Sequence, residues 1–292
     1  MTRIDVSRVV SELIAGTDRL EPPRLLHDVV ATYLVDLYGL EIDSAFEEAF
    51  QILNEVQRTL RDLQHSAQVA GTDWTVEIYG TGDEYLRGAS FADLSLPERE
   101  QEIRRQRRHV NVILSELRAL TPEEFEIACT SILKLIDCRD PVTSPLRDDG
   151  GIDFYGRLQL TGRLGRKFPY GGLDGKVGVW LIGQAKRYKE SNPVQTAAVR
   201  ELVGSVELAR TRGAIHEWEG LELSPFDAIV QLFFTTGVFT SGAEKLLQKS
   251  GIVSMNGNQL SVFLSDCGVG IDANNDLFDS QQFRLGLGLG KF

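Results

Sequence analysis

The stretch Val177-Gly-Val-Trp-Leu-Ile-Gly183, running straight into Gln184-Ala185-Lys186, constrains this chain more than any other. A nearly continuous apolar run of strand length, without alternation, is how a strand covered on both faces reads. Such a strand needs helices above and below it, which makes an α/β layered core the expected architecture. Its end departs from that pattern. Gln184 and Lys186 stand two residues apart, so both side chains leave the same face. An amide and an ammonium at the end of a buried strand are costly without partners.

The surrounding pattern supplies the helices. Residues 1–120 read as a mainly helical N-terminal domain. Ile4, Val6, Val9, Val10, Leu13 and Ile14 repeat at helical spacing, and Leu26, Val29, Val30, Tyr33 and Leu34 repeat it after Pro22-Pro23. Ser44 with Glu47, and Ser95 with Glu98, read as capping boxes opening further helices, with a strand-like piece at Trp74–Tyr79 between them. The pattern changes near residue 120. Thr121-Pro122-Glu123-Glu124 is a helix start with Phe125, Cys129, Ile132 and Leu133 as its buried stripe. Strand-like segments follow near 140–146, 152–160 and 177–186, then a helix over 193–212. An apolar strand at Ala228–Thr236 and a helix from Ser241 to Gly251 come next. A last strand-like pair flanks Asn256-Gly257, which favours a tight turn. Residues 121–292 thus read as a mixed β-sheet flanked by helices, with a Gly-rich C-terminal tail.

Composition narrows the function. No apolar run reaches the roughly 18 residues of a membrane span, and the opening Met1-Thr-Arg-Ile-Asp lacks a signal-peptide core. Three cysteines with no CxxC read as reduced thiols, which points to the cytoplasm. Four dispersed histidines exclude an HExxH hydrolase. The net charge of −11 is unevenly spread. Residues 1–100 hold eight Arg against nineteen Asp and Glu, and so carry the acidic excess. Arg157 to Lys189 holds eight basic residues against Asp174 alone. Because salt screens charges beyond about 8 Å, that block can meet phosphates inside an acidic protein. The cluster Arg104, Arg105, Arg107 and Arg108 could touch nucleic acid, but reads rather as a solvated face or as partner to the acidic segment before it.

The chemistry-bearing residues converge in type. Asp148-Asp149-Gly150-Gly151-Ile152-Asp153-Phe154 is a Gly-rich bend running into a strand, with Ile152 and Phe154 expected on one face and Asp153 on the other. Asp153 offers a carboxylate to Mg²⁺ (or Mn²⁺), and the Gln184 side-chain oxygen and Ala185 backbone carbonyl offer further hard oxygens. Lys186 would offset charge on a pentavalent phosphorus, and Glu126, one position off the helix stripe, could reach the same centre. The plainer alternative has Asp153 capping the turn and Lys186 reaching solvent from a strand end. The C-terminal Gly286-Leu-Gly-Leu-Gly290-Lys291 has no helix after it and reads as a flexible or docked tail rather than a phosphate loop.

In order and spacing, Phe125-Glu126, Asp149-Gly-Gly-Ile-Asp153, Gln184-Ala-Lys-Arg-Tyr188 and Val199-Arg-Glu-Leu-Val-Gly204-Ser resemble the Mrr-like branch of the PD-(D/E)xK nucleases. Phe234-Thr-Thr-Gly-Val-Phe239 and Asn256-Gly257 extend the likeness, which covers about 121–265. The resemblance implies a restriction-endonuclease-like core and metal-dependent DNA cleavage in bacterial restriction or antiphage defence. It implies Glu126, Asp153, Gln184 and Lys186 as the catalytic set, with metal held by Asp153, Gln184 and Ala185. Arg187, Lys189, Arg163, Arg166 and Lys167 are expected to contact DNA. A homodimer or larger homo-oligomer is expected, with residues 1–120 serving oligomerisation, regulation or a defence-system partner. A junction resolvase or RNase on the same core, and an inert nucleic-acid-binding subunit, are the alternatives.

Overall fold

The computed structural model describes residues 4–144, 151–161, 173–189, 191–211 and 218–290. The chain divides into two compact units, Met1–Val110 and Asn111–Phe292.

In the first unit, α1 (Val6–Gly16) is followed by β1 (Arg24–Leu25), α2 (Leu26–Tyr38) and the long α3 (Ile42–Ala70). The apolar stripes of the three helices close over one core that includes Val9, Leu13, Val30, Leu34, Val56 and Leu60. A small antiparallel sheet joins β1 to β3 (Tyr85–Gly88) and β3 to β2 (Val76–Tyr79), and α4 (Glu98–Gln106) follows. Neither expected capping box forms here. α3 starts at Ile42, which leaves Ser44 inside the helix, and α4 starts after Pro97 with no side-chain cap. The Ser95 hydroxyl instead donates to Asp93 at 2.8 Å, a local bond that competes with the cap. Arg104 is buried against Glu77 and Glu100, so it belongs to the fold rather than to a solvated face.

The second unit takes in most of α5 (Val110–Ala119), because Ile113, Leu117 and the following Leu120 are part of its core. The division therefore falls before the change of sequence pattern near 120. The helix α6 (Pro122–Leu135) carries the expected Thr121–Glu124 capping box. Then come β4 (Arg139–Thr143), β5 (Phe154–Gln159), the short α7 (Leu173–Lys176), β6 (Gly178–Lys186), α8 (Thr196–Arg210), β7 (Ala228–Thr235), α9 (Ser241–Ser250), β8 (Val253–Met255), α10 (Gly257–Asp266) and α11 (Ser280–Gly286). Among the described residues the sheet has five strands in the order β4-β5-β6-β7-β8. β4, β5 and β6 pair antiparallel, and β6, β7 and β8 pair parallel. The apolar strand β6 is central, as its sequence requires.

Two cores cover the two faces of this sheet. On one side Phe154, Leu181, Ala185, Leu232 and Phe234 meet α5, α6, α10 and α11. On the other, Tyr155, Ile182 and Phe233 meet α8 and α9 through Val199, Leu202, Val206, Ala243 and Leu247. This is the mixed sheet flanked by helices. Three local expectations change. Ile152 lies in the α8-side core while Phe154 lies in the α6-side core, so the two do not share a face. The cause is that β5 begins only at Phe154, and the residues just before it follow the bend at Gly151 (φ 83°) instead of alternating. Asn256-Gly257 opens a helix, not a hairpin: Asn256 and Gln259 cap α10 reciprocally at 2.8 and 3.0 Å. The Gly-rich tail is docked, with Leu287 fully buried and its carbonyl accepting from Ser131 Oγ at 2.8 Å. No helix among the described residues is long and apolar enough to cross a membrane.

Candidate active site

The site forms where β5 stops and β6 continues. The β5–β6 ladder ends at Phe154↔Gly183, and the Asp153 backbone N–H donates to the Gly183 carbonyl at 2.9 Å. Two residues further along β6, on the same edge, Ala185 N–H has no strand opposite. It donates to Asp153 Oδ2 at 2.6 Å, a short charge-assisted bond. A strand residue sends its N–H and C=O from the same edge. The Ala185 carbonyl therefore opens toward the gap that Asp153 occupies. Asp153 is 2% exposed, so its carboxylate is fixed inside the protein.

Gln184 and Lys186 meet on the α8 side of the same strand end. With the Gln184 amide turned to satisfy both its ends, its nitrogen donates to the Ala198 carbonyl at 3.0 Å and its oxygen accepts from Lys186 Nζ at 3.0 Å. Gln184 is completely buried and Lys186 half-buried. The turn before Asp153 is pressed against this group. A Cβ at Gly151 would stand 3.0 Å from Glu201 Cγ, 3.0 Å from Ser205 Oγ and 3.4 Å from the Gln184 amide, and φ there is positive. Glycine satisfies both demands.

The strand end is fixed from β7. Thr235 Oγ1 donates to the Lys186 carbonyl at 2.7 Å and Thr236 Oγ1 to the Tyr188 carbonyl at 2.9 Å, with both threonines fully buried. Their hydroxyls thus hold the chain that carries Lys186. On the opposite face, burial pushes the Cys129 thiol well up, and the charges of Asp153 and Glu126 add to it. One thiol on α6 therefore feels both carboxylates.

The donor set fits a small hard cation. A carboxylate, an amide oxygen and a backbone carbonyl are oxygen donors, and Mg²⁺ commonly takes one or two protein carboxylates and keeps several waters. Among the described residues no cluster of three His, Cys, Asp or Glu gathers, so a site made only of acidic ligands is not present there.

The expected DNA-contacting residues divide. Arg187 is half-buried and donates to the Arg118 carbonyl at 2.8 Å, while Lys189 is exposed. Arg163, Arg166 and Lys167 lie outside the described residues, as do Asp148, Asp149 and Gly150. Sequence reasoning quoted Glu201 and Ser205 within the Val199–Ser205 motif but gave them no role at the site. Ala198, Glu201 and Ser205 stand at i, i+3 and i+7 and face the turn and Gln184. The signal was a small and polar stripe beside the apolar Val199, Leu202 and Val206.

A family model described as Mrr_cat, restriction endonuclease, matches residues 117–264. Two solved structures are similar in part. MspJI restriction endonuclease in complex with a 27-mer oligonucleotide is 15% identical, with a TM-score of 0.41 over 68% of this chain and 39% of that one. The DNA modification-dependent restriction endonuclease AspBHI is 17% identical, with a TM-score of 0.38 over 67% of this chain and 43% of that one. The present chain thus spans less than half the length of either. No curated protein matches the sequence.

Proposed function

The chain belongs to the Mrr_cat restriction endonuclease family, and from that membership we propose that it hydrolyses DNA phosphodiester bonds with a divalent metal ion at the ends of β5 and β6. The observation that carries this reading is the convergence of Asp153 on Ala185 N–H and of Lys186 on the Gln184 amide at one strand end.

Asp153, the Gln184 oxygen and the Ala185 carbonyl would hold Mg²⁺ or Mn²⁺. Such an ion acidifies water and polarises a phosphoryl oxygen. The remaining work belongs to the side chains. Ala185 N–H fixes one oxygen of Asp153, so the carboxylate keeps its direction when substrate arrives. The Gln184 amide, itself held by Ala198, holds the Lys186 ammonium in place. From there Lys186 donates to a non-bridging phosphate oxygen and offsets the charge that grows there in the transition state. Glu126 adds a second carboxylate from α6. Lys189 and Arg187, with Arg163, Arg166 and Lys167, draw in the phosphate backbone. A role in bacterial restriction or antiphage defence, a homodimer that cuts both strands, and a partner-binding first unit complete the reading.

The test is plasmid cleavage by the full chain with Mg²⁺ or Mn²⁺. Asp153→Asn is expected to lower the rate about a thousandfold and Lys186→Met about a hundredfold or more, with circular dichroism unchanged. A purified Asp153→Asn protein that cuts at the wild-type rate would falsify the assignment.

A further inference from the structure

A second cluster lies at the other end of the antiparallel strands. The β4–β5 pairing sets Arg139 directly opposite Arg157, and the β5–β6 pairing sets Arg157 opposite Trp180. Like charges facing across adjacent strands repel. Among the described residues no carboxylate lies within ion-pair distance of either guanidinium. Arg157 lies across Gly178, where a Cβ would come within 2.7 Å of its Nε, and its Cζ is 5.8 Å from the Trp180 ring centre. That cation–π contact offsets only part of the charge of one arginine. Both arginines and Trp180 line a cleft of about 660 Å³ with Tyr155, Asp140 and Glu219. This size suits a nucleotide-sized ligand.

We propose that this cleft holds one nucleotide of a bound DNA strand, turned out of the base stack. The repelling arginines take its phosphate, whose charge removes their conflict. The indole face stacks on its base, as aromatic platforms do with unstacked bases. Asp140 and Glu219 accept amino protons from the base edge. Arg157 is four residues along from Asp153, about 13 Å at the rise of a strand, so one strand of DNA can engage both places. The inference rests on the DNA reading above and adds a binding subsite in which Arg139 and Trp180 join Arg157 of the basic block.

Binding and cleavage separate the two ideas. The full chain, in buffer with a metal chelator, is titrated into a fluorescein-labelled 12-nucleotide single strand, and anisotropy is read at several NaCl concentrations. Arg139→Gln with Arg157→Gln is expected to weaken binding about tenfold and to make the salt dependence shallower by about one ion. Trp180→Leu is expected to weaken binding about tenfold with the salt dependence unchanged. Among the described residues its indole Nε1–H has no acceptor, so the substitution removes no hydrogen bond there. Wild-type affinity and salt dependence in the double arginine variant overturn the proposal, as does binding of dAMP by a chain that does not bind the oligonucleotide. Should Asp153→Asn still cut DNA, the active-site assignment falls while this binding result stands.

Discussion

At the scale of single residues, the site depends on where one strand stops. Ala185 N–H reaches Asp153 only because β5 begins no earlier than Phe154 and leaves that edge of β6 open. The spacing of Gln184 and Lys186 announces a shared face in any strand, and the structure brings the two side chains within 3.0 Å. The part played by the Ala185 amide was not legible, because no sequence pattern marks the last ladder pair to one residue. The thiols provide a check at this scale. Burial pushes Cys138 up to about 11, and burial with the neighbouring carboxylates pushes Cys129 well up, while Cys267 is exposed. The thiolate is the reactive form. A disulfide reagent at pH 8 is therefore expected to titrate about one thiol in the native chain and three after denaturation. Rapid native modification of Cys129 would mean that its full burial is wrong.

At the scale of elements, Gly183 shows how a strand interior can require the smallest residue. It stands opposite Phe154, whose ring covers the space a side chain would fill, and that ring stacks on Phe234 with centroids 5.5 Å apart. Gly183→Ala would drive a methyl group into the Phe154 ring. The ring would have to move in a packed core, which costs about 1–3 kcal/mol. Because the shift would fall one residue from Asp153, cleavage is expected to drop along with the urea midpoint. Joint Gly183→Ala, Phe154→Leu substitution should recover part of the stability, and no recovery would show that the clash is not the cause. Elements with strong local chemistry were legible before the fold was known. The Thr121–Glu124 box and the unbroken apolar run of β6 both name their structures. Asn256-Gly257 misled, since its turn chemistry suits a hairpin and a helix cap equally. Glycine at 257 answers to packing, since the Thr236 carbonyl occupies the space a Cβ there would need, and the Asn256–Gln259 cap opens the helix.

At the scale of the whole molecule, the two units have separate cores. The acidic excess of residues 1–100 was legible by counting, but not the use of one carboxylate within it. Glu77 on β2 faces Arg87 across the ladder and bonds it at 2.7 Å, and Arg104 from α4 reaches the same carboxylate at 2.8 Å. Burial raises the Glu77 pKa, but the hydrogen bonds and charges of Arg104 and Arg87 outweigh it and leave the value below the ordinary 4.5. A carboxylate with a lowered folded value stabilises the fold fully above its unfolded value. That contribution is lost as pH falls through the folded value. The first unit is therefore expected to weaken below about pH 4.5. Glu77→Gln should lower its stability by about 2 kcal/mol at pH 7, since two arginines lose a charged acceptor. At pH 3 the same substitution should cost less, because the unfolded carboxyl is protonated below its ordinary value and the charged contribution fades as pH falls toward the lowered folded one. Calorimetry of both proteins across this range decides it: a Glu77→Gln deficit as large at pH 3 as at pH 7 would place the cost in packing rather than in charge. Since each unit closes its own core, only one of two unfolding transitions should move, and equal movement of both would show that they unfold as one cooperative body.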